Sequence, residues 1–212
     1  MKLVGMLDSP YVRRVAISLQ LLGLRFEHQS LSVFRTFEQF QSINPVVKAP
    51  TLVCDNGEVL MDSSLIIDYA EMLAEPRTLM PLQPQARQHA LRIIGLALAA
   101  CEKSVQVFYE RTLRPPEKLH EPWHTRVIVQ TRAAFGALEE ELCRQPLVAG
   151  REAITQAGIS TAVAWHFVQR MLPEVVLAAS HPALVAFSDQ AEALPEFRAA
   201  PHGESTFRWA GA

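Results

Sequence analysis

The stretch NPVVKAPTLVC, residues 44–54, decides how the first part of this chain folds. Residues 51–54 read as a short strand, yet Pro50 stands at its threshold, where it brings no backbone N–H and restricts the residue before it. Strand formation alone gives no reason for a proline there. Immediately beyond, DNG at 55–57 supplies turn chemistry and EVLM at 58–61 the returning strand, so the segment reads as an antiparallel hairpin.

Outward from the hairpin, the first eighty residues mix two hydrophobic periods. KLVGM (2–6) reads as a strand. SPYVRRVAISLQLLGL (9–24) switches to helical spacing, with Val12, Val15, Ala16, Leu19 and Leu22 on one side and Gly23 as the stop. RFEHQSL (25–31) alternates as a half-buried strand, a polar helix follows around 36–43, and DSSLIIDYAEMLA (62–74) is a helix after the hairpin. The order is strand, helix, strand, helix, hairpin, helix. EPRTLMPLQP (75–84) contains Pro76, Pro81 and Pro84 and reads as a linker, with the boundary near residue 80. Beyond it, 86–113, 122–144, 156–171 and 182–192 carry apolar residues at three- and four-residue spacing, separated by Pro115, Pro116, Pro146 and Pro182. The expected organisation is an α/β domain over 1–80 and an all-α helical bundle over 86–212.

Composition narrows the function. With 212 residues, 49% of them hydrophobic, the chain can bury a sizeable core. Its 20 basic and 22 acidic residues leave a net charge of -2, which offers no field for a nucleic acid or an anionic membrane, and neither partner is expected. Cys54, Cys101 and Cys143 are widely spaced and odd in number, so neither a disulfide framework nor a CxxC pair is present. The opening MKLVGMLDSPYVRR lacks the apolar run of a secretory signal, and the apolar run 93–101 is far short of the ~20 residues that span a bilayer. A cytoplasmic location is expected.

Three constellations stand out. Ser9 before Pro10 is a helix N-cap signal; capping alone explains it, and a hydroxyl at a positive helix end could also donate to a thiolate. Asp62-Ser63-Ser64 opens a helix in the same way, either as ordinary capping or as a nest of N–H groups and a hydroxyl for a ligand carboxylate. HEPWH (120–124) matches the H-E-x-x-H zinc pattern but fails mechanically, because Pro122 disfavours a helical Glu121 and separates His120 from His124. No metal is expected. In the ending FRWAGA, Phe207 or Trp209 is expected to pack on the body of the protein.

SPYVRRVAISLQLLGLRFE, NPVVKAPTL and LMDSSLIIDYAE, in this order and spacing, resemble the glutathione transferases, and the serine-type members above all. The resemblance runs along nearly the whole chain. It implies a thioredoxin-like N-terminal domain followed by a helical domain, glutathione as co-substrate, and a homodimer. It implies that Ser9, in an S-P-[YF]-x-x-R stretch with Arg13, donates a hydrogen bond to the glutathione thiolate. It also implies a cis bond before Pro50, which would turn the backbone of Ala49 towards the cysteinyl residue of glutathione. Lys48 corresponds to a residue near the glycine carboxylate, and Asp62 and Ser63 to the pair that receives the γ-glutamyl end. The chemistry agrees, since a small molecule with two carboxylates and one ammonium needs a cation, a helix N-terminus and an acceptor.

The reaction implied is attack of the thiolate on an electrophilic second substrate in an apolar cleft, for which Phe34, Phe108 and Arg111 are candidate walls. A glutathione-dependent isomerase or dehalogenase shares every one of these features, and a non-catalytic ligand-binding member shares the fold. A cysteine-dependent reductase is disfavoured because no Cys lies near position 9. For the dimer, the expectation is that helix 63–74 faces the long fourth helix, with Ala97, Ala99 and Ala100 permitting close approach. One departure from the family is visible: Thr155 is followed by Gly158 where a capping-box Asp is usual.

Overall fold

β1 (Lys2–Val4), β2 (Glu27–Gln29), β3 (Thr51–Val53) and β4 (Val59–Met61) form one mixed sheet in the order β2-β1-β3-β4. The computed structural model describes residues 1–207 and 209; Arg208 and 210–212 of the FRWAGA ending lie outside the described residues. β1 pairs in parallel with β2, Leu3 opposite His28, and antiparallel with β3, Leu3 opposite Leu52. The expected hairpin is present, with Thr51 opposite Met61. The parallel β1–β2 pair requires a crossover, which α1 (Pro10–Leu21) supplies; α2 (Phe37–Gln41) and α3 (Ser63–Ala74) complete the pattern read from the sequence.

α1 is buried along almost its whole length, from Val12 to Leu21 without interruption. Its charges therefore need partners. Arg13 Nε donates to the carbonyl of Ala200 at 2.8 Å and Nη2 to that of Phe197, and its guanidinium lies 5.7 Å from the Phe197 ring centre. Gln20 Nε2 donates to the carbonyl of Glu196 at 2.9 Å. These bonds tie α8 (Pro195–Ala199), which periodicity did not reveal, to α1.

Contacts accordingly group Met1–Leu79 with Ala193–Ala212, and Met80–Glu192 as a second unit. This departs from the assignment of all of 86–212 to one helical domain. The reason is the buried Arg13, which recruits carbonyls from the chain's end. Arg13 is thus an anchor for α8.

The second unit contains α4 (Pro84–Thr112), α5 (Glu121–Arg144), α6 (Gln156–Met171) and α7 (Pro182–Glu192). Ala97 and Ala100 are fully buried within this chain, where α4 packs against α5 and α6. That corrects their reading as small residues for a second copy. Between the helices Glu141 is buried and accepts from Arg92 Nε at 2.9 Å and Arg144 Nη2 at 3.0 Å. Thr155 is the N-cap of α6 and makes no side-chain capping bond. The structure gives the reason for Gly158: a Cβ there would sit 3.0 Å from Ile154 Cγ1 and 3.1 Å from Phe187 Cζ, leaving no room for an Asp.

Candidate functional site

Ser9 is the N-cap of α1, with extended backbone and Pro10 in the first turn. Its Oγ accepts from the Val12 amide at 3.4 Å, longer than a usual N–H···O bond. Accepting uses a lone pair and leaves the hydroxyl proton undirected. Capping and donation to a ligand are therefore compatible roles, and the helix end favours negative charge beside it.

The loop before β3 is shaped by Asn44, which is buried. Its Oδ1 accepts from the Val46 amide at 3.0 Å, its Nδ2 donates to Thr51 Oγ1 at 2.8 Å, and Thr51 Oγ1 donates to the Lys48 carbonyl at 2.7 Å. This clasp holds Val47 at φ 52°, an uncommon conformation for a β-branched residue, and the Ala49–Pro50 bond is cis. The loop presents Ala49 towards the start of α1. Gly5, at φ 135°, sits between them: a Cβ there would lie 2.7 Å from Val12 Cγ2 and 3.1 Å from Ala49 Cβ. Only a glycine lets the 44–50 loop and the first turn of α1 approach this closely.

Asp62 is the N-cap of α3, at φ 72°, and its Oδ1 accepts from the Ser64 amide at 2.9 Å. Oδ2 lies 3.4 Å from Lys48 Nζ, and both side chains are about half exposed. A pair this open adds little to stability, so its consequence is to set a cation and a carboxylate side by side at the surface. Burial raises the Asp62 carboxyl, but the Ser64 amide, the Lys48 ammonium and the Arg14 charge outweigh it and leave the group below its ordinary value.

Ser63 is buried, and its Oγ accepts from Arg14 Nη1 at 2.9 Å; the same nitrogen reaches Ser64 Oγ at 3.2 Å. Sequence reasoning passed over Arg14. The signal was available, since a second arginine in a helix lined with Val, Ile and Leu must find a polar partner inside. Asn44 and Gly5 were missed as well, because Asn44 acts through the loop it folds, on the Val46 amide and Thr51 Oγ1, and Gly5 acts by the side chain it lacks between Val12 and Ala49.

Of the predicted residues, Lys48, Asp62 and Ser63 stand together, and Gly5 brings Ala49 beside the turn that Ser9 caps. Phe34 is exposed; Phe108 lies 6.2 Å from Tyr109, ring centre to ring centre. Arg111 is engaged within the second unit, donating from Nε to His124 Nε2 at 3.1 Å and pairing with Glu174. Pro122 does not keep Glu121 out of the helix as expected: Glu121 is the first residue of α5, His120 its N-cap, and the proline lies in the first turn, where no intrahelical N–H is needed, so that the His124 amide still donates to the His120 carbonyl at 3.0 Å. Among the described residues no group of three or more His, Cys, Asp or Glu could hold a metal ion.

Residues 3–78 match the family model described as the glutathione S-transferase N-terminal domain. A glutathione transferase family member from Pseudomonas fluorescens Pf-5, solved with bound S-(propanoic acid)-glutathione, is 31% identical, with a TM-score of 0.78 over 94% of this chain and 98% of that one. A glutathione S-transferase from Methylobacterium radiotolerans, in complex with glutathione sulfonate, is 26% identical with a TM-score of 0.87 over 96% of each chain. A probable maleylacetoacetate isomerase from Caenorhabditis elegans is 35% identical over 89 residues, 41% of each protein. The four-stranded mixed sheet followed by helices is the thioredoxin-like plus helical fold of these transferases, and the chain belongs to the glutathione S-transferase family.

Proposed function

We propose that this protein is a cytoplasmic, homodimeric glutathione transferase. Lys48 and the backbone of Ala49 receive the glycyl and cysteinyl parts of glutathione, Asp62 and Ser63 receive the γ-glutamyl end, and Ser9 donates to the sulfur. The observation that carries this reading is that one rigid helix serves both ends: α1 begins at Ser9 and, one turn on, Arg14 holds Ser63. The glutathione-bound relative at 31% identity supports the ligand.

The chemistry follows from charge. Donation by Ser9 at a positive helix end stabilises the thiolate over the thiol and lowers the pKa of bound glutathione; the thiol proton leaves to solvent. The sulfur then forms a bond to an electrophilic carbon while the leaving group departs with its electron pair, or an activated double bond takes up the charge and is protonated. Exposed apolar side chains on α3 and β4, among them Met61, Leu65 and Met72, are the surface offered for a second copy. Calorimetric titration with glutathione, followed by turnover of an aryl halide, tests the reading: heat and conjugate are expected, and absence of both leaves only a binding module.

The isomerase relative favours a second reading, in which glutathione adds to a cis-unsaturated diacid and is released after rotation. Its mark is conversion of cis to trans substrate with no net loss of glutathione.

A further inference from the structure

β2 lies at the edge of the sheet, and the chain's end returns to it. Ser30 Oγ donates to the Glu204 carbonyl at 3.0 Å, and Arg35 Nη2 donates to Glu204 Oε1 at 2.7 Å while lying 3.6 Å from Met6 Sδ. Phe207 stacks on Phe26 with ring centres 4.5 Å apart, and Trp209 lies 5.7 Å from Phe26, so the expected packing of the two aromatics is present. His28 stands between this segment and the loop that leads to Ser9. The Phe207 amide donates to its Nδ1 at 2.9 Å, and the Gly5 carbonyl lies 2.7 Å from its Nε2. An amide donor requires an unprotonated Nδ1, so the ring is neutral and Nε2–H donates to Gly5.

We propose that residues 201–207 and His28 form a positioning strap for the thiol-activating loop. The imidazole, bonded at one nitrogen to the strap and at the other to Gly5, fixes the 5–9 turn that aims the Ser9 hydroxyl. His28 touches no substrate in this scheme; it acts through Gly5, whose neighbours Val12 and Ala49 belong to the site. The role in catalysis rests on the proposed function, whereas the mechanical coupling of strap to loop does not.

A pH response follows from the two-sided bonding. The charged groups on the surrounding elements are Lys2 on β1, Glu27 on β2, Asp8 in the loop, Arg35 after β2 and Glu204 on the strap. Burial holds the ring below its ordinary basicity, opposed by the Gly5 carbonyl. The strap is intact above the ordinary imidazole value of ~6.5, weakens below it, and is released as pH falls through the lowered value of the buried ring, since a protonated Nδ1 would face the Phe207 amide donor to donor.

Hydrogen exchange and steady-state kinetics on the full chain test this, comparing wild type with His28→Phe and Phe207→Ala. Both variants are expected to exchange faster in the peptide covering 3–12, to lose roughly 10–100-fold in kcat with glutathione KM little changed, and to raise the pKa of bound glutathione. In wild type, after correction for intrinsic rates, protection of 3–12 and 201–207 is expected to fall together as pH drops below ~6.5. That series decides the matter even where a variant fails to fold. Faster exchange in 201–207 with wild-type protection in 3–12 overturns the strap. If wild type binds no glutathione, the functional reading fails while the exchange result still decides the coupling.

Discussion

Arg14→Met separates the part of the site that holds the fold together from the part that holds a ligand. The guanidinium makes two hydrogen bonds to serine hydroxyls, at 2.9 and 3.2 Å, together worth roughly 2–4 kcal/mol. It is also a cation only 2% exposed, and replacing it by an unbranched apolar side chain of similar length removes a desolvation penalty of several kcal/mol. The two effects oppose each other, so the net change in stability is at most ~2 kcal/mol, or about 4–8 °C in Tm for a chain of this size.

No such cancellation protects the ligand. Ser63 and Ser64 lose the donor that fixes them, and Asp62 loses one of the charges that keep it ionised. Losing about 1.4–2 kcal/mol of binding weakens glutathione roughly 10–30-fold. Calorimetric titration gives the dissociation constant, and scanning calorimetry on the same samples gives Tm. Arg14→Lys, which keeps the charge and loses the planar fork, is expected to fall between. A fall in Tm of more than ~10 °C in Arg14→Met, with glutathione affinity at the wild-type value, would make Arg14 a support of the fold alone.

Ser9→Ala is expected to lower kcat by up to ~10²–10³ and to move the bound glutathione thiol towards ~8.5, read from thiolate absorbance against pH; an unchanged pKa and turnover would make Ser9 a helix cap and turn attention to Tyr11 or a backbone N–H. Gly5→Ala forces a Cβ to 2.7 Å from Val12 at a positive φ, so roughly 2–4 kcal/mol of stability should be lost in denaturant unfolding; a loss under ~0.5 kcal/mol would show that the contact yields. Glu141→Gln replaces a buried carboxylate held by two arginines and should destabilise by about 1–3 kcal/mol at neutral pH. Hydrogen bonding by Arg92 first, and the charges of Arg144, Arg92 and His89, hold the Glu141 carboxyl below its ordinary value. Its contribution is complete above the unfolded value near ~4.3 and is lost as pH falls below that, so the variant should show a shallower acid limb in Tm; identical limbs would contradict the pairing.

Much of the fold was legible because the first eighty residues switch period cleanly between alternation and helix, and each switch is punctuated by Gly23, DNG or a proline. α8 was not legible. Five residues carry no period, and what fixes them is a buried Arg13 whose partners are carbonyls 184 and 187 positions away. The candidate site divides in the same way. Ser9, Lys48, Asp62 and Ser63 announce themselves by residue type at helix starts, whereas Arg14 reads as one charge in a helix and Asn44 as an ordinary loop residue. The dimer reading of Ala97 and Ala100 failed for a related reason: small residues signal close approach, and sequence does not say whether the neighbour is another helix of the same chain.

The conformational outliers show why the legible residues are not sufficient. Gly5, Val47 and Asp62 all have positive φ, and each lies within a residue or two of a candidate contact or touches one directly. A valine or aspartate in that region costs of order 1–3 kcal/mol and persists only where its surroundings determine it. For Val47 the surroundings are the Asn44 clasp and the apolar cluster of Val4, Leu31 and Phe40 against which Val47 packs. For Asp62 they are the Ser64 amide, Lys48 and, beneath them, Arg14. Both supports end on β1 or α1, the elements joined by the turn through Gly5 to Ser9. A sheet and helix buried early in the chain thus hold two strained loops at fixed positions, and the helix beneath Asp62 begins at the hydroxyl proposed to meet the sulfur.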